Sequence, residues 1–204
     1  MKEWFSEYWP YALLLVFACA VAFFAFRAAA KAYSAHKKRY REEEEYILRL
    51  KALKEKYVPL SVETIKEAPD EELLEGVALG LQITLQKTDD LEAEFEKLSD
   101  EKKLIYTLDI FTEDKTLEKF FKENSAVLKL RLVPALEKVS LSSYAKRIEP
   151  VALMFDDKDE TTSLDEQRVK DFDAELEKEG FLSLIKLSAA KYIKENPKAF
   201  CDCN

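Results

Sequence analysis

Five carboxylates near the C-terminal end recur at every second position, and their spacing suggests a binding role: Asp171, Asp173, Glu175, Glu177 and Glu179. On a β-strand this spacing would place all five on one face, in a row with a spacing similar to that of nucleic-acid phosphates. On an α-helix the same spacing distributes them around the axis. Phe172 and Leu176 stand four residues apart among them, which favours the helix. We therefore predict an exposed, charged helix and assign these five residues as candidate contacts for a protein partner.

The side chains needed for common catalytic chemistry are scarce. His36 is the only histidine and lies in a basic run near the N-terminus. A Ser-His-Asp triad and a zinc site with paired histidines are therefore excluded from the rest of the chain. Glycine occurs only at positions 76, 80 and 180, which leaves no phosphate-binding loop and no dinucleotide-binding turn. An enzyme would have to rely on carboxylates alone, so we predict no catalytic residues and a non-enzymatic protein.

Two short motifs resemble parts of metal sites. The acidic run 156–160 resembles the start of a calcium loop, but Thr162 stands where that loop needs Gly and Arg168 where it needs Glu. Cys201 and Cys203 supply two thiolates, fewer than a four-ligand structural site requires. A solvated loop and a reduced tail are the simpler interpretations, and a redox or metal role for the two cysteines stays open. We predict no bound metal and no cofactor.

A stretch of nineteen residues without a charged side chain, Tyr8 to Phe26, indicates location more strongly than any motif indicates chemistry. As an α-helix it would span roughly 28 Å, close to the thickness of one hydrocarbon core. Aromatic rings favour the interfaces of a membrane. The predicted anchor residues near its two ends are Tyr8, Trp9, Tyr11 and Phe26. We expect a single transmembrane helix within residues 1–27.

A cluster of cations follows this stretch directly: Arg27, Lys31, Lys37, Lys38, Arg39 and Arg41. Before the stretch only Lys2 occurs, beside Glu3 and Glu7. Because Lys and Arg close to a membrane helix are retained on the cytoplasmic side, we expect the N-terminus outside the cell membrane and the remaining chain in the cytoplasm. The cationic cluster is predicted to contact anionic lipid headgroups, at roughly 1 kcal/mol per cation.

The charge of the chain divides sharply behind this cluster. Residues 1–41 hold seven Lys or Arg and two Asp or Glu, a net charge of +5, whereas residues 42–204 hold 25 and 38, a net charge of −13. An acidic domain lacks the clustered cations that contact phosphates, so direct binding of nucleic acid is not expected. Three cysteines do not make a disulfide framework, which suits a cytoplasmic domain. About 160 residues are enough for one core.

Helical periodicity divides the chain into an anchor (1–27), a basic juxtamembrane segment and helical stalk (28–57), a connector (58–69), an all-α domain (70–200) and a tail (201–204). In the stalk, Tyr46, Leu50, Leu53 and Tyr57 share one helical face. That face either packs on the domain or forms the seam of a coiled-coil dimer. The domain shows apolar residues at spacings of three and four and no alternation of period two, which predicts a compact bundle of about six or seven short helices.

Proline and glycine mark several positions within this domain. Pro69 is suited to open a helix that has three acids in its first turn. Pro134 should start or kink a helix, and the pair 196–197, Asn-Pro, should end the last one. Gly76 and Gly80 stand four residues apart in an amphipathic segment, so we expect close packing of helices in the core there.

The order of several segments from about residue 70 to 200 carries a family resemblance. The segments are LSDEKKLIY at 98–106, LEKFFKENS at 117–125, the stretches 126–139 and 144–155, and YIKENPKAF at 192–200. In this order the chain resembles a bacterial domain family of unknown general function that is named after a DNA-mimic protein. That family usually carries a Gly-Gly-Phe turn before its paired aromatic residues, and Lys115, Thr116 and Leu117 stand there in this chain. The resemblance implies an all-α domain and, for the named member, an acidic surface that occupies the DNA site of a DNA-binding protein.

Three hypotheses of function follow. The first is a membrane-anchored adaptor or scaffold that contacts lipid and binds an unidentified protein through its acidic helical domain. The second is a DNA-mimic module that sequesters a DNA-binding protein, which would require a dense row of carboxylates with few interspersed cations. The third is a carboxylate-only enzyme, which would require an enclosed pocket with two or more buried carboxylates.

Overall fold

The structure is a computed structural model, and it describes residues 27, 33, 36, 37, 40, 41, 43–87, 90–155 and 165–201. The chain divides into two compact units, Met1–Lys51 and Ala52–Asn204. The predicted anchor residues lie outside the described residues, as do three of the predicted headgroup contacts: Tyr8, Trp9, Tyr11, Phe26, Lys31, Lys38 and Arg39. No helix that the structure describes combines the length and the apolar character needed to cross a bilayer.

In the first unit, residues 43–51 are helical, as predicted for the stalk. Arg27, Lys37 and Arg41 are also helical, and their side chains are exposed. These three are the described members of the predicted cationic cluster.

In the second unit every regular element that the structure describes is helical, which confirms the all-α prediction. Residues 52–57 are helical and precede the α-helices, which are α1 (Val62–Glu67), α2 (Asp70–Leu85), α3 (Leu91–Lys97), α4 (Asp100–Asp114), α5 (Leu117–Glu123), α6 (Ala126–Lys129), α7 (Leu132–Lys138), α8 (Ser142–Leu153), α9 (Glu166–Lys178) and α10 (Phe181–Glu195). A 3-10 turn, Pro197–Ala199, follows α10. The described helices outnumber the six or seven predicted because several have only four to seven residues.

Helix α4 lies at the centre of this unit and packs against α2, α5, α7 and α10. Its apolar stripe, Ile105, Leu108 and Phe111, is almost completely buried, as helical spacing requires. The ring of Phe111 packs edge-on against Phe120 of α5 at 5.6 Å and Phe181 of α10 at 5.9 Å between ring centroids. Each such aromatic pair adds about 0.5–1.5 kcal/mol to the burial of its apolar area.

Side chains at the helix starts explain why the short helices begin where they do. Ser61, Asp90, Ser99, Thr116 and Asp165 each accept a hydrogen bond from a backbone N–H of the first turn that follows. Such a cap typically contributes about 1 kcal/mol.

The predictions made from proline are confirmed. Pro69 directly precedes α2, whose first turn carries three acids. The other proline near a helix start, Pro134, is the third residue of α7, and α10 ends at Glu195, before Asn196 and Pro197.

The second unit begins eighteen residues before the predicted domain start at residue 70, because the preceding segments bury side chains in its core. Leu53 and Tyr57 are 4% and 1% exposed, so this part of the predicted stalk face packs on the domain. The predicted connector contains α1, whose Ile65 is fully buried. The ring of Tyr57 lies against Gly76 so closely that a Cβ atom there would be 2.5 Å from ring atom Cδ2. The close packing predicted at Gly76 is therefore a helix-to-ring contact.

Among the described residues, the buried apolar side chains of the core come from residues 53–200. The unit Ala52–Asn204 thus contains its own hydrophobic core and is expected to fold as one domain.

Candidate partner-binding groove

A cavity of about 260 Å³ lies between the C-terminal end of α2, helix α3, helix α4 and the turn from α5 to α6. We name it the Leu91 groove. Six of its lining residues are apolar or aromatic, namely Leu85, Leu91, Phe95, Tyr106, Val127 and Leu128. The other four are Glu92, Glu123, Asn124 and Ser125. The described lining residues thus combine apolar side chains with two carboxylates and include neither Lys nor Arg.

Helix α3 forms one wall of the groove. Its N-cap, Asp90, accepts a hydrogen bond from the backbone N–H of Ala93 at 3.0 Å, which fixes the first turn and the position of Leu91. The Leu91 side chain is 52% exposed, whereas Phe95, one turn later, is only 6% exposed. The Phe95 ring lies 5.5 Å from the ring of Tyr106 in α4. A buried ring therefore supports a large apolar side chain that faces solvent.

Cations on the other elements also hold Phe95 in place. The Nζ of Lys103 and the guanidinium of Arg131 each lie 5.9 Å from its ring centroid. The buried Lys103 ammonium donates a hydrogen bond to Glu96 at 2.7 Å. The pKa of Glu96 is lowered by this hydrogen bond, so the carboxylate stays charged beside the ammonium.

The opposite wall is the turn from α5 to α6, and Asn124 fixes it. Its side-chain amide donates to the carboxylate of Asp114 at 2.7 Å and to the carbonyl of Phe120 at 3.0 Å. Asp114 in turn pairs with Lys119 at 2.8 Å. This network holds the chain where Ser125, Val127 and Leu128 line the groove.

The electrostatic character of the groove comes from its two carboxylates. Within the described part of the chain, Glu92 has no ion-pair partner, and Glu123 approaches Lys119 only at 4.0 Å. Burial raises the pKa of Tyr106, and the charges of Asp109 and Glu113 raise it further, so its hydroxyl stays protonated at neutral pH. The groove therefore presents two carboxylates beside apolar surface, and Glu123 is only weakly compensated by Lys119.

Four of the five carboxylates predicted to contact a partner lie on α9 and Glu179 is its C-cap residue, but the five do not form one surface. Asp173 is half-buried, and its two carboxylate oxygens accept the backbone N–H groups of Leu117 at 2.8 Å and Glu118 at 3.3 Å. Burial raises the pKa of Asp173, while these two hydrogen bonds oppose the rise. Asp173 thus ties α9 to the first turn of α5, which is a structural role.

Arg147 of α8 forms ion pairs with two more of the five carboxylates. Its guanidinium donates to Glu175 at 2.9 Å and to both oxygens of Glu179 at 2.9 and 3.0 Å. It also lies over the rings of Tyr144 and Phe172, at 5.3 and 5.4 Å from their centroids. The pKa of Glu179 is lowered mainly by its hydrogen bond to Arg147. These contacts join α8 to α9 and neutralise much of the predicted acidic row.

The remaining two carboxylates are exposed. Asp171 accepts a hydrogen bond from Gln167 at 2.8 Å, and Glu177 faces solvent on another side of the helix. Asp171 also lines a second cavity of about 360 Å³, together with Arg147, Arg168 and Phe172. A third cavity, of about 350 Å³, likewise carries charges of both signs. Of the three cavities, only the Leu91 groove has carboxylates without cations in its lining.

Asp109 of α4 is a buried carboxylate, 3% exposed, that the sequence patterns did not single out. It accepts a hydrogen bond from the Gln82 amide at 3.3 Å. Its pKa is raised by burial and further by the nearby charges of Glu113 and Glu75, while Lys186 opposes the rise. None of the three cavities includes Asp109 in its lining. In sequence, only its position between the apolar Leu108 and Ile110 indicated burial.

Among the described residues, no group of three or more His, Cys, Asp or Glu side chains is arranged to hold a metal ion. Cys201 is partly buried and forms no disulfide, and Cys203 lies outside the described residues. The acidic run 156–160 also lies outside them.

No known family model, curated protein or solved structure matches this chain. The resemblance of residues 70–200 to the domain family named after a DNA-mimic protein therefore stays a prediction from the sequence.

Proposed function

We propose that this protein is a membrane-anchored, non-catalytic adaptor whose helical domain binds another protein through the Leu91 groove. The single observation that carries the proposal is the half-exposed Leu91 above the buried Phe95, in a groove that has two carboxylates and no cation in its lining. Apolar side chains that expose large area in a concave, polar-rimmed site are typical of protein interfaces.

The anchoring part of the proposal rests on the sequence. The charge-free stretch from Tyr8 to Phe26 is long enough to span a bilayer, and the cations that follow it favour an N-terminus outside the cell. A membrane-impermeant thiol reagent applied to intact cells tests this orientation, with cysteine introduced at the exposed position 177. The Glu177→Cys variant should be labelled only after lysis, and labelling before lysis would refute an interior domain.

The carboxylate pattern gives less support to a DNA mimic. Arg147 neutralises Glu175 and Glu179, and Asp173 is engaged by the backbone of α5. A row that imitates phosphates needs carboxylates that are free and regularly spaced on one face. The groove requires no such row, so an adaptor is the better-supported function.

Affinity capture from cells with the tagged full chain tests the proposed function. The informative variant is Leu91→Glu, which introduces a charge into the groove, and Leu187→Glu is its control. Leu187 of α10 is 45% exposed, similar to Leu91, and does not line the groove. Glutamate is tolerated at both helical positions, and at the first position of α3 it favours the helix dipole.

We expect the wild-type chain and Leu187→Glu to capture the same protein and Leu91→Glu to lose it. Equal capture by both variants would contradict a role for the groove. Circular dichroism of the two variants verifies that the helical content is unchanged.

A further inference from the structure

We infer that the Leu91 groove binds a basic amphipathic helix, that is, a partner segment with an apolar stripe flanked by Lys or Arg. This inference rests on the proposed function and names the chemical class of its partner.

The apolar side chains that line the groove favour an apolar stripe on the partner. Leu85, Leu91 and Phe95 on one side and Val127 and Leu128 on the other offer aliphatic and aromatic surface. Leu91 exposes about half of its side chain to water. An apolar stripe on a partner would remove this area from water, which favours association.

The carboxylates of the groove favour cations on the partner. Glu92 and Glu123 stand on opposite walls, on α3 and at the end of α5. Glu92 has no ion-pair partner within the described part of the chain, and the distance from Glu123 to Lys119 is 4.0 Å. The described lining of the groove contains no Lys or Arg, so a cation on either flank of a partner would meet a carboxylate, Glu92 on one side and Glu123, which shares its charge with Lys119, on the other. An acidic segment or a nucleic acid would be repelled at the same place.

The helical form follows from the architecture. An extended peptide usually adds a strand to an open sheet edge, and the described residues contain no strand. The walls of the groove are helices, and an amphipathic helix that lies in a groove between helices is the recognition mode that such walls support. A second copy of this chain is the competing occupant, and in the experiment below it would leave the groove without peptide adducts.

The test uses the full chain in nanodiscs of zwitterionic phosphatidylcholine and three synthetic peptides of about 14 residues, roughly four helical turns. One peptide is an amphipathic Leu/Lys helix, one is its Leu/Glu counterpart, and one has the same Lys content with Ser in place of Leu. Each carries a photo-reactive residue, and mass spectrometry of the digested protein locates the adducts. Adducts on lipid do not enter this readout.

We expect the Leu/Lys peptide to give adducts within residues 91–95 and 124–128, and the other two peptides to give none there. Its adducts should decrease between about 50 mM and about 300 mM salt, because exposed charges are screened. The double reversal Glu92→Lys with Glu123→Lys should raise the half-maximal peptide concentration about tenfold. The matched reversal of two exposed acids outside the groove, Glu149→Lys with Glu177→Lys, should leave it unchanged.

Three results would overturn the inference. They are groove adducts of equal yield from the Leu/Glu peptide, an equal effect of the two double reversals, and no groove adducts from the Leu/Lys peptide, as expected if a second copy of the chain fills the groove. The variant Leu91→Glu distinguishes a wrong partner class from a wrong binding site. If the Leu/Glu peptide gives groove adducts and Leu91→Glu abolishes them, the groove binds partners of another class. If groove adducts of the Leu/Lys peptide are unchanged in Leu91→Glu, the role assigned to Leu91 in the proposed function fails as well.

Discussion

Replacing Asp173 by alanine should destabilise the domain substantially, although Asp173 belongs to a row of acids that looks like solvent-exposed charge in the sequence. Its two carboxylate oxygens accept the backbone N–H groups of Leu117 at 2.8 Å and Glu118 at 3.3 Å. These are the first two residues of α5, and N–H groups in the first turn of a helix have no partner within the helix. Without the carboxylate, both donors lose their acceptor in a partly buried site.

The size of the effect follows from the two hydrogen bonds. A hydrogen bond to a charged group contributes about 1.5–3 kcal/mol, and replacing a helix cap by alanine costs about 0.5–2 kcal/mol. The second bond is longer and therefore weaker, and water can reach a half-buried site. We expect Asp173→Ala to lower the free energy of unfolding by about 2–3 kcal/mol. Asp173→Asn keeps one oxygen acceptor and should cost about half as much.

Urea denaturation of the unit Ala52–Asn204, followed by circular dichroism, measures this difference. Glu177→Ala is the matched control, because Glu177 lies one turn further along α9 and is exposed. Its effect should stay within about 0.5 kcal/mol. A loss for Asp173→Ala no larger than that for Glu177→Ala, with the same dependence on urea, would refute the structural role of Asp173.

Three further predictions concern packing, burial of charge and the link between α8 and α9. Gly76→Ala should destabilise the domain by about 1–3 kcal/mol in thermal unfolding, because its Cβ would clash with the Tyr57 ring. Gly80→Ala is the control, because the nearest neighbour of its Cβ would be 3.8 Å away. It should be neutral or stabilise the domain by up to about 1 kcal/mol. Because burial raises the pKa of Asp109, its ionisation in the folded state opposes folding, and this cost is incurred as the pH rises through the folded pKa. Asp109→Asn should therefore unfold at higher urea than the wild type at pH 7, by an amount that vanishes below about pH 4; an advantage independent of pH would contradict this. Arg147→Ala should lower the free energy of unfolding by about 1 kcal/mol at low salt and by less at high salt, and an effect that grows with salt would refute an ionic link.

Local patterns in the sequence were sufficient for the helices and their buried faces. The stripe of Ile105, Leu108 and Phe111 follows from spacing alone, and proline marks the start of α2 and the end of α10 correctly. Such features depend on residues within a few turns of one another, which is the range over which helical periodicity operates.

Contacts between residues that are distant in the sequence could not be predicted from local patterns. Asp173 binds the N–H of a residue 56 positions away, and nothing in the pattern of α9 indicates that contact. The sequence left open whether the face of Tyr57 packs on the domain or on a second chain, and only the fold shows its ring against Gly76.

The Leu91 groove also depends on contacts between residues that are distant in the sequence. Leu91 is a single leucine behind a helix cap, and its partners across the groove, Val127 and Leu128, come from a short helix more than thirty positions later. Single exposed leucines are common on protein surfaces and carry no signal alone. Only the packing of α3 against the other helices gives Leu91 an apolar surrounding.

Photo-cross-linking in cells from position 125 tests directly whether the Leu91 groove binds a partner protein. Ser125 lines the groove, and its side chain makes no capping hydrogen bond, so a photo-reactive amino acid can replace it with little effect on the fold. We expect a cross-link to one specific protein from position 125, lost when Leu91→Glu is added, and none to that protein from the control position 187. The same cross-linked protein from both positions, or none from position 125, would contradict a partner-binding groove.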